Sequence, residues 1–180
     1  MKRFLMACLM MLALCSTAFA QTITQLTMTG ESGCFVGENQ TYDFNSTNAN
    51  IRLQKYGPNG VEFICESLDR VHWWFMLLSP KTGGRLELGS YAGVPRSSTA
   101  SQMGFSVFGD GRGCNTSVSD VTISELSFNQ EGVPVSIALT FSQRCTDIQG
   151  MTSLRGDGSI IKQATPTKQH SWGSLKTMYR

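Results

Sequence analysis

Histidine is nearly absent: two occur in 180 residues, His72 and His170. A paired-histidine metal site or a Ser-His-Asp triad therefore has almost no material to draw on. No G-x-S-x-G elbow and no C-x-x-C pair occurs, which removes the α/β-hydrolase nucleophile, the zinc knuckle and the thioredoxin-type redox site. Long 3.6-residue periodicity is missing as well, so no helix of useful length is expected. Charge is sparse at 16%, and no apolar run reaches the roughly 20 residues that cross a bilayer. What is present is 41% hydrophobic residues in a length that fills one respectable core, so a single globular domain is expected.

The N-terminus carries an address. Lys2-Arg3 precedes an apolar run from Phe4 to Cys15, followed by Ser16-Thr17-Ala18-Phe19-Ala20. Charged, apolar and small residues in that order predict a secretory signal over residues 1–20, cleaved after Ala20. The mature chain would then carry no membrane span. Cleavage takes two cations and no acid, leaving 13 of each sign, so the mild basicity of the full chain belongs to export and predicts no nucleic-acid partner. Residues 162–180 keep four cations (Lys162, Lys168, Lys176, Arg180) and no carboxylate, a basic tail expected to be either loose or one last edge strand. The body, residues 21–161, is acidic, with nine cations against 13 acids.

Cys8 and Cys15 leave with the signal, so Cys34, Cys65, Cys114 and Cys145 remain for an oxidising compartment, and all four are expected in disulfides. Three connectivities are open. Pairing sequence neighbours, Cys34 with Cys65 and Cys114 with Cys145, would close two loops of about 32 residues, each stabilising by about 3–4 kcal/mol in the chain-entropy description.

Short apolar alternations separated by Gly, Pro and Asn predict an all-β fold, an antiparallel β-sandwich or partly open barrel. Strands are expected at Ile23–Thr29, Asn50–Tyr56, Val61–Glu66, Val71–Leu78, Phe105–Phe108, Val118–Phe128, Val135–Arg144 and Ser153–Ile161. Gly57-Pro58-Asn59-Gly60 and Asn129-Gln130-Glu131-Gly132 mark hairpins. Between Val135 and Ser142 the alternation is cleanest: Val135, Ile137, Leu139 and Phe141 share one face and Ser136, Ala138, Thr140 and Ser142 the other. Its partner slips phase near Glu125, which predicts a bulge. Ser79 to Gly104 reads as a long connection around a short piece at Arg85–Leu88 and a Gly89-Ser90-Tyr91 turn.

Several runs together resemble known proteins: His72-Trp73-Trp74-Phe75-Met76-Leu77, Gly89-Ser90-Tyr91, Gly109-Asp110-Gly111-Arg112-Gly113-Cys114-Asn115, Phe141-Ser142-Gln143-Arg144-Cys145 and Leu154-Arg155-Gly156. The chain resembles a family of exported bacterial β-sandwich domains of uncharacterised function, marked above all by the Gly-Arg-Gly-Cys-Asn run. The resemblance implies a Cys114–Cys145 bridge and a small β-sandwich, and transfers no activity.

Function is weighed from three constellations. Gly109 to Asn115 has oxygen enough for a calcium loop and glycine enough for an anion nest, but lacks the EF-hand spacing. It is expected to be a structural turn formed by Gly109, Asp110, Gly111, Arg112, Gly113 and Asn115. His72-Trp73-Trp74-Phe75 sets Trp73 and Phe75 on one face and His72 and Trp74 on the other. An exposed indole on a sheet can stack on a sugar ring, and Trp74, Tyr91 and Trp172 are the candidate platform, weighed against a reading that packs both tryptophans inside, as large aromatics usually are. Finally Glu62, Glu66, Asp120 and Glu125 lie on strands, where a glycosidase pair would need two of them to converge. No catalytic residue, metal or cofactor is expected. The chain reads as an exported binding or structural module for a polysaccharide or an envelope protein, with a secreted enzyme inhibitor or a small carboxylate hydrolase as alternatives.

Overall fold

In a computed structural model the chain is described over residues 22–147 and 152–162. The expected signal segment and most of the basic tail, with Trp172, lie outside the described residues. The described chain is all-β, two antiparallel sheets that do not close into a barrel.

Ten strands form it: β1 (Thr22–Gly30), β2 (Thr41–Asn45), β3 (Ala49–Tyr56), β4 (Gly60–Ser67), β5 (Trp73–Ser79), β6 (Gly89–Pro95), β7 (Gly104–Gly109), β8 (Ser117–Phe128), β9 (Pro134–Cys145) and β10 (Leu154–Lys162). The long sheet runs β2-β1-β10-β9-β8-β6 and the short sheet β3-β4-β5-β7. Two of these strands were not expected from the sequence. β2 is only five residues, Thr-Tyr-Asp-Phe-Asn, and β6 is built of Gly, Ser and Ala around a bulge between Tyr91 and Val94. Such short or small-residue strands draw their order from the neighbour they pair with, which local propensity does not register.

The predicted hairpins are formed. Asn129 Oδ1 accepts hydrogen bonds from the Glu131 and Val133 N–H groups, and Gly132 takes a φ of +74°. The β8–β9 register slips between Ile123 and Glu125, where a bulge was expected.

The core lies between the sheets. Leu26 and Met28 of β1, Ile137, Leu139 and Phe141 of β9, and Phe63, Trp74, Met76, Leu78, Phe105 and Val107 of the short sheet are all buried. Buried apolar surface contributes roughly 25 cal/mol per Å², so this inter-sheet layer is the main stabilising term. The long sheet turns a polar face outward. One transverse row in register reads Asp43, Thr27, Asp157, Thr140, Thr122 and Ser90.

A buried amide joins the two sheets. Gln143 of β9, 2% exposed, accepts from the Val107 N–H at 2.7 Å and donates to the Val107 C=O at 2.8 Å. β7 ends the short sheet, and Gln143 occupies the place that a further strand would take. Both edge groups of Val107 are thus paired in a place water does not reach, where leaving them unpaired would be costly.

Only one of the two expected disulfides is present. Cys114 and Cys145 are bonded, with Cα atoms 5.1 Å apart and a sequence separation of 31. Cys34 and Cys65 are both buried and both free, which corrects the expectation that all four are bridged. Cys65 sits on the inner face of β4 opposite Trp74, and Cys34 lies in the loop after β1, where its Sγ accepts the Gly37 N–H at 3.3 Å. Each is used as a small apolar core residue. Even cysteine number in an oxidising compartment says nothing about where two thiols end up in space.

Candidate functional site

The Gly-Arg-Gly-Cys-Asn run is a knot of contacts. Asp110 and Gly111 both take positive φ, 48° and 77°, and the Gly109 and Arg112 backbones exchange two hydrogen bonds across them. A two-residue turn with both central residues left-handed is the Asp-Gly signature of a tight hairpin. Gly109 packs against Trp74, where a Cβ would fall 2.5 Å from the indole ring. Asp110 reaches across to β5: its Oδ1 accepts the Trp73 N–H at 2.8 Å and its Oδ2 lies 2.6 Å from His72 Nδ1. Arg112 pairs with Glu38, and Gly113 carries the chain past Phe108 to Cys114. The Asn115 carbonyl accepts from Arg96 Nη1 at 2.9 Å, and its N–H donates to Asp147.

His72 and Asp110 form the arrangement in which a carboxylate orients an imidazole. Among the described residues, however, the far ring nitrogen has no hydrogen-bonded hydroxyl or thiol beside it, and no group of three metal-ligating side chains occurs. The Ser67 hydroxyl is committed elsewhere, accepting the His72 N–H at 2.9 Å and donating to the Asp69 carboxylate. The pair clips the start of β5 to the turn. The four strand acids do not converge either. Glu62 and Glu66 stand four residues apart on one strand, about 13 Å, beyond the separation of a glycosidase pair. Asp120, on the other sheet, accepts the Gly93 N–H.

On the aromatic strand large apolar side chains meet solvent. Register places Trp73, Phe75 and Leu77 on the outer face of the short sheet, together with Phe108 and Ser106 of β7 and Ile64 of β4. Trp73 is 38% exposed and Trp74 0%, which inverts the expected assignment of the two indoles. Trp74 is core, its ring 4.8 Å from that of Tyr42, and cannot serve in a platform. Both faces of β5 are apolar, so alternation identified two faces without deciding which one meets the other sheet. Tyr91, the second expected member, belongs to the long sheet and donates its hydroxyl to the Glu87 carbonyl at 2.9 Å. The platform of Trp74, Tyr91 and Trp172 is therefore not assembled: one residue is core, one is tied down on the other sheet, and the third lies outside the described residues.

A different set of aromatic rings is gathered on the outer face. Trp73 packs edge-on against Phe75 at 5.7 Å, and Phe75 stacks on Phe108 at 5.3 Å, a geometry that holds the rings in fixed orientation. Ile64, only 2% exposed, lies on this outer face. Arg52 and Glu66 border the strip with a hydrogen-bonded ion pair at 2.9 Å. The Arg52 guanidinium holds the Glu66 carboxyl below the usual carboxylate range. Gln54 donates to Glu62 farther along the same border.

Two hollows flank the strip. One of about 670 Å³ lies at the Trp73 end, between Trp73, Glu66, Asn50 and Arg70. The other, of about 730 Å³, lies at the Ser79 end, where Leu77 and Ser106 of the outer face continue into its wall. Sequence reasoning placed Trp73 and Phe75 together on one face but put the candidate platform on the other, with Trp74; Phe108, Tyr56, Lys81 and Arg96 gave no local signal. The available clue was that Val71–Leu78 is apolar on both faces, more than one core can absorb. No protein-family model, curated protein or solved structure matches the chain.

Proposed function

We propose that this chain is a binding module that works outside the cytosol and takes an extended glycan on the outer face of its short sheet. The carrying observation is the ordered row of Trp73, Phe75 and Phe108, partly solvent-facing and open at both ends into hollows. Aromatic rings held by one another lose little freedom when a sugar ring stacks on them, which favours binding. Polar groups at the border, Arg52, Glu66, Gln54 and Glu62, offer the hydrogen bonds that an oligosaccharide requires. An exposed apolar strip rimmed by polar groups is a recognised mark of a binding surface. The signal-like N-terminus, the disulfide and the resemblance to exported bacterial β-domains support an extracytosolic setting. On this reading the module binds without catalysing.

A glycan array followed by calorimetry tests it. At least one oligosaccharide should bind the intact chain, and Trp73→Ala should remove most of that binding while leaving the melting temperature nearly unchanged. An array that stays blank, or binding indifferent to Trp73→Ala, refutes the assignment. Export is checked separately: the secreted chain should begin at Gln21 by intact mass.

A further inference from the structure

The two hollows differ in charge, and the difference identifies the ligand class. At the Trp73 end the walls mix Glu66 with Arg70. At the Ser79 end the walls hold Lys81 and Arg96 and no carboxylate, with hydroxyls from Tyr56, Ser79 and Ser98 among them. This is against the trend of a body whose acids outnumber its cations. Both cations are exposed, and neither is in a salt bridge among the described residues. Arg96 gives one N–H to the Asn115 carbonyl, leaving most of its five donors for a ligand. The nearest acid on the outer face, Glu62 beside Leu77, accepts a hydrogen bond from Gln54 and does not line this hollow.

The walls are held in place before any ligand arrives. Asn59 Nδ2 donates to the Gly84 carbonyl at 3.0 Å, and the Thr82 N–H donates to the Thr99 carbonyl at 2.9 Å, so the segment bearing Lys81 is tied on both sides. The segment bearing Arg96 rides over Gly104, where a Cβ would lie 2.3 Å from the Ser98 nitrogen. Same-face residues of β5 are spaced about 7 Å apart, so Trp73 and Ser79 bracket a path of roughly 20 Å. A chain stacked on Trp73 and Phe75 therefore runs directly toward two cations.

Resting on the glycan reading above, we propose that the ligand is an acidic polysaccharide, a uronate-containing chain whose sugar rings lie on the aromatic strip and whose carboxylates are held by Lys81 and Arg96. A planar guanidinium matches a carboxylate in a two-bonded fork, and the neighbouring hydroxyls suit the sugar oxygens.

Calorimetry on the intact chain with an oligouronate hexamer, neutral cellohexaose and sodium acetate tests this. The hexauronate should bind about tenfold or more tighter than the neutral hexamer at low salt, an advantage that should shrink as the charges are screened in 0.5 M NaCl. Lys81→Gln with Arg96→Gln should cut hexauronate affinity by about tenfold or more and leave any cellohexaose binding as it was. Acetate, lacking the rings, should compete only weakly. Equal affinity for the two hexamers, with no effect of the double variant, overturns the acidic-ligand assignment and leaves the glycan reading standing. Acetate that competes as well as hexauronate overturns it in favour of a small-anion pocket. Absence of binding to either hexamer in the wild-type chain refutes the acidic-ligand assignment, while the glycan reading is decided by the array. Circular dichroism of the double variant separates a lost contact from a lost fold.

Discussion

The two sheets treat their outer faces in opposite ways. The long sheet turns a lattice of Thr, Ser and Asp to water, and its strands alternate apolar-in, polar-out as a sheet with one wet side should. In the short sheet β5 is apolar on both sides: Trp74, Met76 and Leu78 fill the core while Trp73, Phe75 and Leu77, with Phe108 of β7, line the exterior beside a polar border. Stability demands only the inner set. The outer set costs solubility without filling the core, so its presence is the better guide to function.

The adjacent tryptophans sharpen that contrast most. Trp74→Ala opens a cavity in the core and should cost about 3–5 kcal/mol, whereas Trp73→Ala should cost about 1 kcal/mol or less, as surface changes do. Denaturant melts of the two variants decide it, and comparable losses would erase the distinction between inner and outer rings.

The covalent staple belongs to the long sheet, joining the end of β9 to the segment before β8. Removing it by Cys114→Ser should lower stability by about 3–4 kcal/mol, the chain-entropy value for a loop of this length. The short sheet instead keeps Cys65 as a thiol that burial pushes up to about 12, so at pH 8 it should resist iodoacetamide until the chain unfolds. Intact-mass counting on the chain beginning at Gln21 should find two alkylatable thiols after denaturation without reductant; none would mean that Cys34 and Cys65 are bridged after all.

Gln143 is where the sheets depend on each other. Gln143→Ala leaves the Val107 N–H and C=O buried and unpaired, at about 1–3 kcal/mol for each group. Amide exchange at Val107 should accelerate well beyond that at Phe63 in the sheet interior. Equal protection would show that the edge of β7 needs no cover.

The smallest expected effect is electrostatic and tests the long sheet's polar face. Asp157 is held above the ordinary carboxylate range, first by crowding that strips water from it and then by the charge of Asp43. The folded state therefore holds its proton more tightly than the unfolded chain does. Its stabilising contribution is complete below the unfolded value and is lost as pH rises through the folded one. Asp157→Asn should thus raise Tm slightly at neutral pH and make no difference near pH 3. A variant that melts lower at neutral pH would contradict the sign.

Much of the architecture was legible locally. Alternation through Ile137, Leu139 and Phe141, turn residues at Asn129–Gly132 and the phase slip near Glu125 each rest on neighbours in sequence, and each appears where expected. β2 and β6 were not legible, because five residues or a Gly-rich run carry too little propensity of their own. The candidate site was half legible: the aromatic run was visible, but the choice between Trp73 and Trp74 was not.

Period-two patterning, turn chemistry and the scarcity of histidine made this an all-β chain with little catalytic apparatus in view, because those features act between residues close along the backbone. Which indole faces out, which thiols pair, how a glutamine closes a strand edge and where two cations meet an aromatic strip were decided only when one sheet was laid on the other. Those contacts join residues dozens of positions apart, and the energy that selects them is buried between the layers.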